Sequence, residues 1–312
     1  MLLMDAAIVQ LQENLPVGEV MDMTILDTIC YILDSNRNIY GVVLDKGRLC
    51  CQYTQHGGSE YETISPIAVT SDQNHVYVYD TGKSHILVLS PQLEPEKAIR
   101  TPFITPFSIK RTEDGFLCFC ISDKQEVVFI GDNGNIVYEK TLSELNMHVY
   151  QRHALIQQGA DDNLYIKAMY SDTIYKWADS RLEAVYALDY GERSIPKGMN
   201  DSRDIENTKR EYTLDFFIFQ QGVYSSFIER NSNAICNNYY IIDEASSKAG
   251  YVRPIHSVPF LPHWQFGRII LSAVHPDYIA PLKKKINEDA NIELRDEGLI
   301  IFKYTMGDFS PV

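Results

Sequence analysis

The feature that most constrains the fold of this chain is a repeat of about 45 residues built from short apolar segments. Three segments align, residues 28–53, 74–99 and 114–140, and a fourth copy covers residues 162–188. Each copy reads as three short strands separated by turns, because runs of β-branched and aromatic residues favour strands. An aspartate closes the first strand of each copy; these are Asp34, Asp80, Asp123 and Asp172.

A further short strand precedes the second, third and fourth copies, at Pro66–Thr70, Pro106–Lys110 and His153–Gln157. Four strands in about 45 residues are the size of one blade of a β-propeller, a ring of four-stranded sheets around a channel. The 312 residues hold close to seven such units, or six with insertions. We therefore expect an all-β fold of six four-stranded antiparallel blades, in one domain that covers residues 1–312.

Three segments in the second half of the chain depart from the repeat. Gly191–Thr213 carries ten charged residues in 23, so we expect a polar insertion on one rim. The pattern of Tyr278–Asp289 predicts one short amphipathic helix near the C-terminus. The last apolar segment, Gly298–Tyr304, has no following strand to cover its edge. We expect it to pair with a strand from the first 30 residues, because an open strand edge favours aggregation.

Several of these segments resemble a bacterial family of exported six-bladed β-propellers related to NHL-repeat proteins. The matching segments are Tyr31–Asp34, Gly57–Tyr61, Tyr170–Tyr175, Tyr186–Gly191 and Asn291–Tyr304. The resemblance implies a periplasmic or cell-surface location and an association with glycan-utilisation systems. The N-terminal sequence lacks the pattern of an export signal, so the alternatives are a removed leader or a cytoplasmic protein.

The charge of the chain restricts its partners. Lys and Arg number 28 against 42 Asp and Glu, which gives a net charge of −14. Nucleic acids and anionic membranes attract basic surfaces, so we expect neither as a partner. The longest apolar run has six residues, Phe116–Ile121, whereas a membrane-spanning helix needs about 20, so we expect no membrane insertion. We expect ligands to be neutral or basic.

The candidate ligand-binding residues lie in two loops and one strand. His56, Glu60 and Tyr61 occupy a glycine-containing loop between blades, where propellers present ligand contacts. The alternative is a turn that fixes the first blade against the second. Trp264 stands in a loop-like context and is a candidate for stacking on a sugar, or else it fills the junction between the last two blades. His153 opens an innermost strand and either faces the channel or is a hydrogen-bonded strand residue.

The sequence contains no catalytic, cofactor-binding or metal-ligand motif. Gly82-Lys83-Ser84 lacks the glycine that a phosphate-binding loop requires five residues earlier, where Tyr77 stands. We therefore expect a non-catalytic binding or scaffold propeller, without a cofactor, that engages a glycan, a peptide or a protein. The alternative is a metal-dependent hydrolase or lyase with ligands assembled from several blades around the channel.

Overall fold

In the part of the chain that the computed structural model describes, 24 strands form four sheets of four strands and one sheet of eight. The sheet of eight consists of two groups of four that a parallel bridge between Gln158 and Phe266 joins, which makes six groups of four in all. The described residues are 4–11, 15–121, 123–145, 155–189, 191–196, 198–199, 201–207, 212–219, 222–231, 234–243, 248–251, 263–290 and 292–306. Within each group the neighbouring strands are antiparallel, as the sequence predicts. We number the groups as blades 1 to 6.

In blades 1 to 3 the four strands follow one another along the chain. Blade 1 contains β2 (Val20–Leu26), β3 (Ile29–Asp34), β4 (Ile39–Val43) and β5 (Arg48–Tyr53). Blade 2 contains β6 (Pro66–Ser71), β7 (Val76–Asp80), β8 (His85–Leu89) and β9 (Pro95–Arg100). Blade 3 contains β10 (Pro106–Arg111), β11 (Gly115–Ile121), β12 (Gln125–Gly131) and β13 (Ile136–Ser143).

Blades 4 and 5 repeat this order, and blade 6 takes its fourth strand from the N-terminus. Blade 4 contains β14 (Ile156–Gln158), β15 (Leu164–Lys167), β16 (Thr173–Ala178) and β17 (Arg181–Ala187). Blade 5 contains β18 (Tyr212–Phe219), β19 (Gly222–Asn231), β20 (Ala234–Asp243) and β21 (Lys248–Tyr251). Blade 6 contains β22 (Trp264–Phe266), β23 (Ile269–Val274), β24 (Ile300–Met306) and β1 (Met4–Gln10).

The two ends of the chain meet in blade 6. Strand β1 is antiparallel to β24, with Met4 opposite Met306 and Gln10 opposite Ile300. The Gln10 side chain also donates to the carbonyl of Glu297 at 2.8 Å. This pairing confirms the prediction that the last apolar segment joins a strand from the first 30 residues.

The core lies between the faces of adjacent blades. The middle strands are buried on both faces, which explains why they read as continuous apolar runs rather than as alternating ones. Tyr31 and Leu33 of blade 1, for example, pack with Val76 and Leu87 of blade 2. The outermost strand β5 instead alternates between exposed and less exposed residues.

The repeated aspartates have different positions in the blades. Asp34 and Asp80 end β3 and β7 and are fully buried. The Asp80 carboxylate accepts from the backbone N–H of Ile64 at 2.6 Å and of Ser65 at 2.8 Å, so it fastens the loop before β6 to the next turn. In blades 3 and 4 the prediction is wrong, because Asp123 and Asp172 lie in the turns after β11 and β15 rather than in the strands.

Helices occupy the two places where the repeat is interrupted. The polar insertion contains a 3₁₀ turn, Gly191–Arg193, and a helix that the sequence did not predict, α1 (Ser202–Asn207). The C-terminal helical segment comprises α2 (Pro276–Ile279), a 3₁₀ turn (Ala280–Leu282) and α3 (Lys283–Ala290). It is amphipathic as expected, because Ile279 and Ile286 are buried against blade 6.

Candidate functional site

The innermost strands of five blades end around a cavity of about 940 Å³, which we call the central funnel. Its lining is mostly polar. The carboxylates are Asp27, Asp72, Glu113 and Asp162, and the amides are Gln73, Asn74, Gln158 and Asn163. Lys110, Arg111, Trp177 and Phe266 add two cations and two aromatic rings. A volume of this size suits a small ligand or a segment of a larger one.

A layer of buried polar side chains crosses the floor of the central funnel. Four innermost strands, β6, β10, β14 and β22, carry a polar residue at the position before their last residue. These residues are Thr70, Lys110, Gln157 and Gln265, and all four are buried. Equivalent strand positions in a ring of blades place these side chains at one height along the channel.

Three members of this layer bind the backbone of a neighbouring innermost strand. Thr70 Oγ1 accepts from the N–H of Arg111 at 3.0 Å. Gln157 Oε1 accepts from the N–H of Gln265 at 2.7 Å. The Gln265 amide in turn accepts from the N–H of Ile218 at 2.8 Å and donates to its carbonyl at 2.7 Å. These bonds join blade 2 to blade 3, blade 4 to blade 6, and blade 5 to blade 6. They also give the two buried amides the hydrogen-bond partners that buried polar groups need.

Lys110 is the exception in the layer. Its side chain is 6% exposed, and none of the described residues offers its ammonium a hydrogen-bond acceptor. The ammonium lies 4.5 Å from the centroid of the Phe266 ring, in a cation–π contact. Burial lowers the pKa of Lys110, and Asp22 opposes that shift. Three N–H donors therefore remain for a group that enters the funnel.

Asp22 interacts electrostatically with Lys110, and its own hydrogen bonds serve the fold. Its carboxylate accepts from the N–H of Val69 and of Met23, both at 2.9 Å, and from Trp264 Nε1 at 3.1 Å. Burial raises the pKa of Asp22 to about 6, although Lys110 and these donors lower it. The Asp22 carboxylate opposes the lowering of the Lys110 pKa by burial, so it favours the ammonium form of Lys110. The two groups have opposite charges when both are ionised, so together they add little net charge to the floor of the funnel.

The rim of the funnel is acidic. Arg111 is held by ion pairs with Asp132 at 2.5 Å and with Asp72 at 3.5 Å, so its charge is already balanced. Across the described ranges, no cationic side chain pairs with Asp27 or Glu113. A ligand at the rim therefore meets unbalanced negative charge, whereas a ligand at the floor meets the Lys110 donor.

A model of a protein family, described as a six-bladed β-propeller of the DUF5128 group, matches residues 7–247 of this chain. The chain belongs to this family. A comparison with curated proteins gave no match. The family assignment agrees with the six groups of strands and confirms the fold that the repeat predicts.

Two solved structures have similar folds. A protein described as exported, from Bacteroides fragilis NCTC 9343, superposes with a TM-score of 0.73 at 15% identity, over 98% of this chain and 96% of that chain. A member of the DUF4221 family from Bacteroides vulgatus ATCC 8482 superposes with a TM-score of 0.60 at 9% identity, over 99% of both chains. The superpositions show a shared fold, and at identities this low they show the fold alone.

The predicted loop residues lie at the opposite end of the propeller from the funnel. The loop that contains His56, Glu60 and Tyr61 leads into the start of β6, whereas the funnel lies where β6 ends. His56 Nε2 lies 3.1 Å from Asn38 Oδ1, so the imidazole ties the loop to blade 1. Tyr61 is 41% exposed, and its carbonyl accepts from the Tyr53 hydroxyl. Glu60 is exposed and lines a second cavity.

The other two candidates lie elsewhere. The expectation that Trp264 stands in a loop is wrong, because it begins β22 and is only 9% exposed. Its indole bonds Asp22 and joins blade 6 to blade 1, so it presents little surface to a ligand. His153 lies outside the described residues. The structure therefore places His56, Glu60 and Tyr61 in one loop, and this loop is separate from both Trp264 and the funnel.

Sequence reasoning missed Lys110 and Asp22. A signal was present in the repeat, because three of the innermost strands end their apolar run on a polar residue, at Thr70, Lys110 and Gln157. Aligning the strands shows that this position is polar in several blades and that only blade 3 fills it with a cation. Asp22 carries no such signal, since its role depends on Trp264, which is 242 residues away.

Two further observations concern the described residues alone. Among them, no group of three or more His, Cys, Asp and Glu side chains is arranged to hold a metal ion. None of their helices has the length and apolar character needed to cross a membrane.

Proposed function

We propose that this protein is a non-catalytic binding propeller whose ligand occupies the central funnel and is anchored by Lys110. The observation that carries the proposal is the Lys110 ammonium at the floor, to which none of the described residues offers an acceptor. A buried donor without an acceptor costs free energy, so its presence in a cavity favours a role in binding. The other members of the same layer bind the backbone of neighbouring blades, so their polar groups are already satisfied.

The chemistry of the funnel selects the ligand class. The acidic rim favours neutral or basic groups and repels polyanions. At the floor, Asp22 balances Lys110, so a neutral hydroxyl or carbonyl oxygen suffices as the acceptor. We therefore propose a neutral or basic glycan or peptide as the ligand. The resemblance of the fold to a protein described as exported supports an extracytoplasmic location, which fractionation of the native cells tests.

An array of neutral, basic and acidic oligosaccharides and peptides tests the proposal, followed by calorimetry on the best binders. We expect neutral or basic probes to bind the wild type and to lose at least tenfold in affinity with Lys110→Met, because a charge-assisted hydrogen bond is lost. Lys97→Met, which removes an exposed lysine of β9, is the matched control and should bind normally. Binding restricted to polyanions, or binding that Lys110→Met leaves unchanged, would contradict the proposal.

A further inference from the structure

A second cavity, of about 550 Å³, lies at the other end of blade 2. We call it the blade-2 cleft. The loop between blades 1 and 2 forms one wall, with Ser59 and Glu60, and the edge of blade 2 forms the other, with Lys83, His85 and Arg100. The cleft therefore includes one of the loop residues that the sequence singled out, but most of its chemistry comes from blade 2.

The register of blade 2 brings His85 and Arg100 together. His85 begins β8 and is directly opposite Arg100, the last residue of β9. Directly opposed residues in an antiparallel pair place their side chains on the same face, about 5 Å apart at Cβ. Asp80 is opposite His85 on the other side, but its carboxylate is occupied by the N–H groups of Ile64, Ser65 and Gly82.

His85 is a buried polar group whose Nε2 atom lacks a partner among the described residues. It is 5% exposed, and no side chain or backbone group of the described ranges lies within hydrogen-bond distance of Nε2. Burial lowers the pKa of His85, so the imidazole is neutral at pH 7 and donates through one ring nitrogen. Buried polar groups are nearly always hydrogen-bonded, so an orphan imidazole in the wall of a cavity indicates a missing acceptor.

The cleft is locally cationic in an acidic protein. Arg100 is exposed, and its guanidinium pairs with none of the described carboxylates. The Lys83 ammonium donates to the carbonyls of Ser59 and Glu62 and so adds positive charge to the same wall. Glu60 stands opposite as the single acidic residue of the lining.

We infer that the blade-2 cleft binds a carboxylate group. The Arg100 guanidinium has the planar fork that matches a carboxylate, and an N–H of His85 supplies a further donor. Two exposed aromatic residues are close in sequence to the lining, Tyr61 directly after Glu60 and Phe103 two residues after Thr101. They favour a carboxylate attached to an apolar group over the carboxylate of an acidic sugar.

The test is an NMR titration of protein labelled at the histidine Cε1 positions, with His85→Gln used to assign the His85 signal. The probes are phenylacetate and glucuronate, each with its uncharged counterpart, phenylacetamide and glucose. We expect phenylacetate to shift the His85 signal saturably, glucuronate to do so more weakly, and the uncharged probes to have no effect. A saturable shift with glucuronate but not with phenylacetate would contradict the preference for an apolar ligand. The absence of a saturable shift with both acids would contradict the carboxylate site itself.

Three variants separate the cleft from general charge effects. Arg100→Gln should weaken phenylacetate binding by about tenfold, because the strongest donor is lost. Lys97→Gln is the matched control, since it removes a cation from the same strand on the opposite face, and it should bind normally. Glu60→Gln should raise the affinity, because it removes a like charge. Weaker binding in Glu60→Gln, or equal losses in Arg100→Gln and Lys97→Gln, would overturn the assignment.

Discussion

The central funnel and the blade-2 cleft lie at opposite ends of the same blade, yet they have opposite charge. Each contains one side chain that is at least nine-tenths buried and has no hydrogen-bond partner among the described residues, Lys110 in the funnel and His85 in the cleft. Carboxylates surround the first cavity and cations the second. A net charge of −14 therefore agrees in sign with the funnel but not with the cleft.

The two cavities also differ in how the fold supports them. The funnel floor depends on innermost strands from several blades, which are joined by buried side chains such as Gln265. The cleft depends on one hairpin, β8–β9, and on the loop from blade 1. Changes that disturb the ring should therefore affect the funnel first, whereas changes at the edge of blade 2 should affect the cleft alone.

The largest expected effect comes from removing the strand that closes blade 6. Deletion of residues 298–312 removes β24 and leaves β1 and β23 without their common partner. We expect the protein to unfold or to oligomerise, because two strand edges become exposed. Thermal melting and analytical ultracentrifugation provide the measurement. A truncated protein that stays monomeric with an unchanged Tm would show that the ring does not depend on this closure.

A smaller loss is expected for Gln265→Leu. The substitution leaves the N–H and the carbonyl of Ile218 without partners in a buried position, at a cost of about 2–4 kcal/mol. Denaturant unfolding measures this loss, with Gln52→Leu on the exposed edge of blade 1 as the control. In the folded protein, funnel binding should weaken while the cleft still binds phenylacetate. Equal losses at both cavities would break the distinction between ring-dependent and blade-dependent sites.

The repeat predicted much more of the fold than of the sites. Strand spacing predicts the blades and the closure because local turn chemistry and side-chain periodicity determine them. His85 and Arg100 are far enough apart in sequence that only the register of β8 and β9 brings them together. Trp264 was misplaced for a similar reason, since Pro262 and His263 indicate a loop, whereas pairing with β23 places it in a strand.

The pH dependence of stability should distinguish the funnel floor from the rest of the molecule. The pKa of Asp22 in the folded protein, about 6, lies above its ordinary value near 4. Between pH 4 and pH 6, the folded state therefore keeps a proton on Asp22 that the unfolded state has lost. The unfolding free energy should therefore fall as pH rises from 4 to 6, by about 2–3 kcal/mol from this group. Asp22→Asn should lack that part of the decline. Denaturant unfolding at several pH values provides the comparison, and parallel curves for the two proteins would contradict the raised pKa.

The smallest effect is expected at the edge of the cleft, where Phe103 is 74% exposed. Phe103→Ala should change the unfolding free energy by less than about 0.5 kcal/mol, because almost no packing is lost. Phenylacetate should bind about two- to threefold more weakly, since a ring–ring contact contributes roughly that much. Acetate, which has no ring, should bind as it does to the wild type. The histidine NMR titration measures both probes. Equal weakening of acetate and phenylacetate would show that Phe103 shapes the carboxylate site itself.

Funnel binding is the control for this variant. It should remain unchanged in either case, because Phe103 lies at the opposite end of the blades from the funnel.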